Sequence, residues 1–317
     1  MRPSILLLAL FLILGSCLEG DKGITRKLPP IETEPVTNYY QAISLTGDTL
    51  YAAAPSEKLQ AQFVEKQKAF MEDSTDLDKL IWYGRFTAYT GDYRGAIDKY
   101  TEGLKQFPNE SRLLRHRGHR YISIREFDKA IADLATAEEL IQGQENSLED
   151  DGMPNAEGIR LTSKHGNIYY HLGLAYYLKG DYQSALNTYK QCLALSQNND
   201  GLVSATHWIV LSLKALGQEE EIADYLEPIN EELEVIENAS YLNACLFYKG
   251  DKTLEELFNP DAEVNSSNSA LKYGLARWLL LNDQLDSGMK VLENILDGSD
   301  WASFGYIAAE ADIVRMQ

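Results

Sequence analysis

Cysteine is scarce in this chain, three among 317 residues, and that scarcity removes both a disulfide framework and a thiolate cluster for a metal. Basic residues are also few: 29 Lys and Arg stand against 48 Asp and Glu, a net charge of −19. Such a balance repels a phosphate backbone, so nucleic acid is excluded as a partner unless the basic residues gather in one place. No apolar run after Leu14 is long enough to span a bilayer. The motifs of catalysis are missing too. There is no phosphate loop, no HExxH, no GxSxG elbow and no dinucleotide fingerprint, and spacing singles out no pair among the many carboxylates. The chain is therefore expected to bind rather than to catalyse, with no cofactor and no metal. Its 44% hydrophobic content is ordinary for a packed fold and too high for a disordered one.

The apolar run from Ile5 to Leu14, preceded by Arg2, covers about 15 Å as helix, half of a bilayer core, which suits a secretory signal better than a permanent anchor. It ends in Leu14-Gly15-Ser16-Cys17, which resembles the bacterial lipoprotein signal. The resemblance implies cleavage before Cys17, lipidation of its thiol and an exported chain anchored to the cell envelope. Leu18 rather than Asp after the cysteine implies delivery to the outer membrane. Residues 1–16 are then the signal peptide. Residues 17–36, with Gly20, Gly23, Pro29, Pro30 and Pro35, form a flexible tether. The register described next separates Cys192 from Cys245 by about two repeats, too far for a disulfide, so both are expected as small buried side chains.

The chain is self-similar. Trp82, Gly84, Ala88, Gly91-Asp92-Tyr93, Ala96, Tyr100 and Gly103 set a pattern that returns 34 residues on, with Gly118 for Gly84, Phe127 for Tyr93, Ala130 for Ala96 and Leu134 for Tyr100. A third copy, Gly173, Tyr176, Gly180-Asp181-Tyr182, Ala185 and Tyr189, lies 55 residues further. The pattern resembles the tetratricopeptide repeat, a helix-turn-helix unit of 34 residues. Small residues let the paired helices approach, aromatics fill the space between repeats, and Gly-Asp makes the turn. Weaker copies follow at Leu213 to Gly217 with Tyr225, at Leu246 to Asp251 with Leu254, and at Trp278 to Asp283 with Leu285. The expected fold is all-α, an alpha-alpha superhelix (solenoid) of about six repeats, three clear and three degenerate. Its parts are a helical cap over 37–76, repeats 1–2 over 77–142, an acidic insertion loop over 143–165, repeats 3–6 over 166–302, and a C-terminal capping helix over 303–317. Within the cap, Asn38 to Met71 reads as helical, notably from the Ser56 helix start. Each repeat is expected to touch only its neighbours. The stretches Arg115 to Ser123 and Gly166 to Asp181 also resemble a group of bacterial tetratricopeptide proteins, a likeness that names no activity.

Residues 112–125 hold five arginines and two histidines and no acid, a local reversal in so acidic a chain. His116 and His119, three apart, invite a metal, but Arg115, Arg117 and Arg120 around them oppose a divalent cation. By the register of the family the groove receives Arg85, Ala88 and Tyr89 from the first repeat and Arg112, Arg115 and His119 from the second. Asn167, Tyr170, Leu174 and Tyr177 come from the third, and Ser204, His207 and Lys214 from a fourth. The family's carboxylate clamp is not reproduced, because Ile81 and Arg85 stand at its positions. Two readings of the arginines stay open: they pair with neighbouring acids, including those of the insertion, or they hold an acidic protein or peptide partner. The expected function is a lipid-anchored scaffold or adaptor. The alternative is an envelope lipoprotein that binds a glycan or small polar ligand on Tyr89, Tyr170, Tyr177 and Trp208.

Overall fold

Six turns, each with a residue in the left-handed region, punctuate the described chain. Gly91, Arg125, Gly180, Gly217, Gly250 and Asp283 have φ of 89°, 66°, 84°, 69°, 88° and 60°. Each follows the first helix of a helix pair. Glycine adopts this conformation without steric cost, whereas another residue costs roughly 1–2 kcal/mol there, so Arg125 and Asp283 must be held by their surroundings.

The computed structural model describes residues 39–150, 153–262, 265 and 268–317. The signal, the tether and Cys17 lie outside the described residues. In chain order the elements are β1 (Tyr40–Ile43), β2 (Thr49–Tyr51), α1 (Glu57–Glu72), α2 (Leu77–Tyr89), α3 (Tyr93–Gln106), α4 (Ser111–Ser123) and α5 (Phe127–Ile141). There follow α6 (Lys164–Lys179), α7 (Tyr182–Ala194), α8 (Asn199–Leu216), α9 (Ile222–Leu226), α10 (Ala239–Lys249), α11 (Leu254–Leu257), α12 (Ser269–Leu281), α13 (Leu285–Leu296) and α14 (Phe304–Met316). From α2 onward the helices come in pairs, and successive pairs pack on one another through α3 and α4, α5 and α6, and α7 and α8. The fold is the helical-repeat arrangement that the sequence pattern predicts.

The packing behind the pattern is steric. A Cβ on Gly84 would sit 2.4 Å from the Tyr100 ring, one on Gly118 2.7 Å from Leu134 Cγ, and one on Gly173 2.8 Å from the Tyr189 ring. The three glycines therefore let the first helix of each pair lie directly on a large side chain of the second. Asp92 and Asp181, at matching positions, cap α3 and α7 by accepting from the backbone N–H of Gly95 and Ser184. Two of the three degenerate repeats have short second helices, α9 of five residues and α11 of four, whereas α13 in the last keeps twelve. Cys192 and Cys245 are free and buried.

Two expectations need correction. Residues 40–51 are not helical: β1 and β2 form an antiparallel hairpin. Its turn is made by Gly47, at φ 100°, with the Ser44 and Asp48 side chains, and β-branched and aromatic residues flank it. The hairpin buries Ala42 and Leu50 against Ile97 and Ile124. Nor does each repeat touch only its neighbours. Helix α14 packs on α12 and α13 and also reaches α6. Its Glu310, fully buried, accepts a two-pronged grip from Arg125 at 2.9 and 2.8 Å, and Arg315 donates to the Leu178 carbonyl at 2.9 Å. Trp301 donates to the Tyr51 carbonyl at 3.0 Å, joining the hairpin to the C-terminal segment.

Candidate functional site

The acidic insertion is anchored at both ends. Leu148 and Ser163 form an antiparallel bridge, and Glu149 N–H donates to the Thr162 carbonyl at 2.9 Å. This pairing delivers the Glu149 carboxylate onto the basic helix α4. There it accepts from Arg115 Nη2 and, at 2.5 Å, from Asn167 Nδ2 of α6. Arg85 of α2 lies 3.8 Å away and His116 Nε2 3.4 Å away. Burial opposes ionisation of this carboxyl, but the Arg115 guanidinium, with Arg85, outweighs it and holds Glu149 well below the usual carboxylate range.

Around this contact is a cavity of about 230 Å³ lined by Arg85, Tyr89, Arg115, His119 and Asn167 among the expected groove residues, and by Arg120, His116, His171 and Glu149 besides. Arg85 lies over the Trp82 ring at 4.5 Å and donates to the Tyr89 hydroxyl and the Asp150 carbonyl. The imidazoles are neutral. Burial first, and then Arg115, pushes His171 down to about 3 and His116 well below its ordinary value; burial and Arg120 do the same to His119. The His119 and His171 rings lie 4.2 Å apart, with Phe304 of α14 5.3 Å from His119. Among the described residues no group of three or more His, Cys, Asp or Glu is placed to hold a metal.

The arginines of residues 112–125 answer the two open readings differently. Arg112 pairs with Asp78 and Glu110, Arg117 with both oxygens of Asp133, and Arg125 with Glu310. Arg115 pairs with the insertion. Arg120 alone of the five has no carboxylate within ion-pair distance among the described residues; it lies over the Tyr93 ring at 5.4 Å, and burial lowers its guanidinium.

Five expected groove residues fall elsewhere, among them Leu174, fully buried in the core. Arg112 is drawn to Glu110 at the start of its own helix and is not at the cavity. Tyr177 is fully buried, because α12 and α14 cover that face of α6 and its hydroxyl shares a 2.9 Å hydrogen bond with that of Tyr273. His207 is also fully buried, with Nδ1 3.0 Å from the Tyr248 hydroxyl, since α8 is enclosed on every side. Lys214 pairs with Glu219 at 2.7 Å and lies over Trp278. Tyr170 and Asn167 line a second cavity, of about 350 Å³, with Tyr241 and Phe304; there the Tyr170 and Tyr241 hydroxyls share a 2.6 Å hydrogen bond. Trp208 is fully buried, so of the four aromatics considered as stacking faces only Tyr89 and Tyr170 reach a cavity. Helical register gives the phase of a side chain but not whether a distant element covers it. Arg120 and His116 carried a signal, the acid-free run on α4; His171 and Phe304 carried none.

A stack of helix pairs with a lined concavity defines a repeat protein of the solenoid class. Residues 166–199 match the tetratricopeptide repeat family, so the chain carries that repeat. Over 128 residues it is 28% identical to small glutamine-rich tetratricopeptide repeat-containing protein 2 of Saccharomyces cerevisiae, covering 40% of this chain and 31% of that protein. The chain thus spans about a third of the length of this curated relative. Among solved structures it is similar to YrrB, a TPR protein with an unusual peptide-binding site, at 13% identity and TM-score 0.41 over 73% of this chain and 91% of that one. A putative kinesin light chain of Podospora anserina aligns at 16% identity and TM-score 0.42 over 71% and 95%, and MamA AMB-1 at 17% and 0.39 over 53% and 85%.

Proposed function

We propose that this chain is a non-catalytic scaffold or adaptor that binds an acidic segment of a protein or peptide partner at the cavity between α2, α4 and α6. One observation carries the reading: Arg115 of α4 and Asn167 of α6 hold one carboxylate, that of Glu149, with Arg85 of α2 beside it. The site therefore already accepts an acid side chain, and a partner's acid would exchange for it. Repeats of this kind present concave surfaces to partners, which supports the same reading. The finer proposal is that Cys17 carries a lipid and ties the chain to the bacterial cell envelope at the outer membrane. Among the described residues no helix is long and apolar enough to cross a membrane.

A photo-crosslinking residue at Tyr89 tests the site. Capture of partner should fall in the presence of a glutamate-rich peptide and at high salt, and Arg115→Ala should weaken it by about 1–3 kcal/mol if that charge is desolvated in the complex. Crosslinking that ignores salt, acidic peptide and Arg115 alike sinks the reading. The anchor has its own test: Cys17→Ser should move the chain from the detergent phase to the aqueous phase, and unchanged partitioning removes the lipid.

A further inference from the structure

The resting occupant of the cavity leaves one of its cations unserved. Glu149 accepts from Arg115 and Asn167, yet Arg120, on the same wall, makes no side-chain hydrogen bond or ion pair among the described residues. His116 Nε2, deeply buried and 3.4 Å from the same carboxylate, makes no hydrogen bond either. Arg120 is half-buried on the cavity wall, its donors open to whatever enters, whereas the other four arginines of residues 112–125 each have a carboxylate. A planar carboxylate has two oxygens and one charge. A phosphoryl group offers three acceptor oxygens and a charge near −2, and several arginine forks can grip it from different directions.

We propose that the cavity is a phosphoryl-binding site in which the incoming group displaces Glu149 and is held by Arg120 together with Arg115. This rests on reading the cavity as the recognition site and names the group it recognises. Glu149 is then a place-holder carried on the insertion. A cavity of about 230 Å³ is below the range for drug-sized ligands and suits one such group, either free or projecting from a partner segment.

The purified chain is titrated with inorganic phosphate by calorimetry at fixed ionic strength, with acetate as the carboxylate control and a phosphoserine peptide as the tethered form. Saturable binding of one phosphate per chain is expected, at least tenfold tighter than acetate. Arg120→Met should weaken it at least tenfold. Glu149→Gln, which removes the competing charge without touching the arginines, should tighten it at least fivefold and serves as a second readout if Arg120→Met unfolds. A phosphoserine peptide that binds tenfold more tightly than free phosphate puts the group on a partner; equal affinity assigns a free phosphate. Absence of saturable binding, acetate as tight as phosphate, or affinity indifferent to both substitutions overturns the proposal. If phosphate binding fails while capture at Tyr89 keeps its dependence on salt and Arg115, only this inference falls and the proposed function stands.

Discussion

Gly118 shows how one atom sets the spacing of a helix pair. A Cβ there would lie 2.7 Å from Leu134 Cγ and 3.3 Å from the Ala130 carbonyl, so neither the side chain nor the backbone of α5 has room to yield. Gly118→Leu should overpack the α4/α5 contact and cost about 1–3 kcal/mol, read as a lowered midpoint in urea unfolding. An unchanged midpoint would show the helices free to separate. This contact was legible in the sequence because it is steric and local, recurring at Gly84 with Tyr100 and Gly173 with Tyr189. The partners of single side chains were less legible. Nothing in the register distinguishes Arg120, which lacks a carboxylate, from Arg117, which has both oxygens of Asp133, since a partner's arrival depends on another helix. Arg125 is a further case: it stands where repeats 1 and 3 have Gly91 and Gly180, at φ 66°, and the cause lies in α14.

Helix α14 is the element that changes what the repeats can offer. Its two buried carboxylates, Glu310 and Asp312, are both clasped, the first by Arg125 and the second by Arg315 at 2.5 Å and the Tyr273 hydroxyl at 2.9 Å. The amphipathic pattern predicts a capping helix here, yet it is silent about which surfaces that helix covers. Because α14 lies against α12 and α6, Tyr177 belongs to the core. Arg125→Met should leave Glu310 buried with only the weak Leu45 N–H contact at 3.4 Å, at a cost of about 3–5 kcal/mol. The double variant Arg125→Met, Glu310→Leu removes both charges and should recover most of that loss. Equal destabilisation of the single and the double variant, measured by chemical denaturation, would mean that the pair is not what fixes α14 against the second repeat.

At the scale of the whole molecule, the buried imidazoles make stability depend on acidity in a window where the carboxylates are quiet. His116, His119, His171 and His207 are neutral; burial is the leading cause for all four, and it pushes His171 and His207 down to about 3. In the unfolded chain each titrates near 6.5. As pH falls below that value the unfolded chain binds protons that the folded chain refuses, so folding weakens, and each such imidazole contributes up to about 1.4 kcal/mol per pH unit until its folded value is reached. Glu149 acts in the same direction but later. Its folded value is depressed, so its contribution is complete above the ordinary carboxylate range and is lost only as pH falls through and below that range. Between pH 6.5 and 5 the four histidines therefore dominate, with a combined slope of up to about 5 kcal/mol per pH unit. Melting temperature should fall steeply across this interval. His207→Gln, uncharged at either pH, should start from a lower stability yet lose it about a quarter less steeply, because one of four protons no longer distinguishes the two states. A wild-type midpoint flat from pH 7 to 5 would mean that the folded chain admits these protons, and that the core around α4, α6 and α8 is open to water.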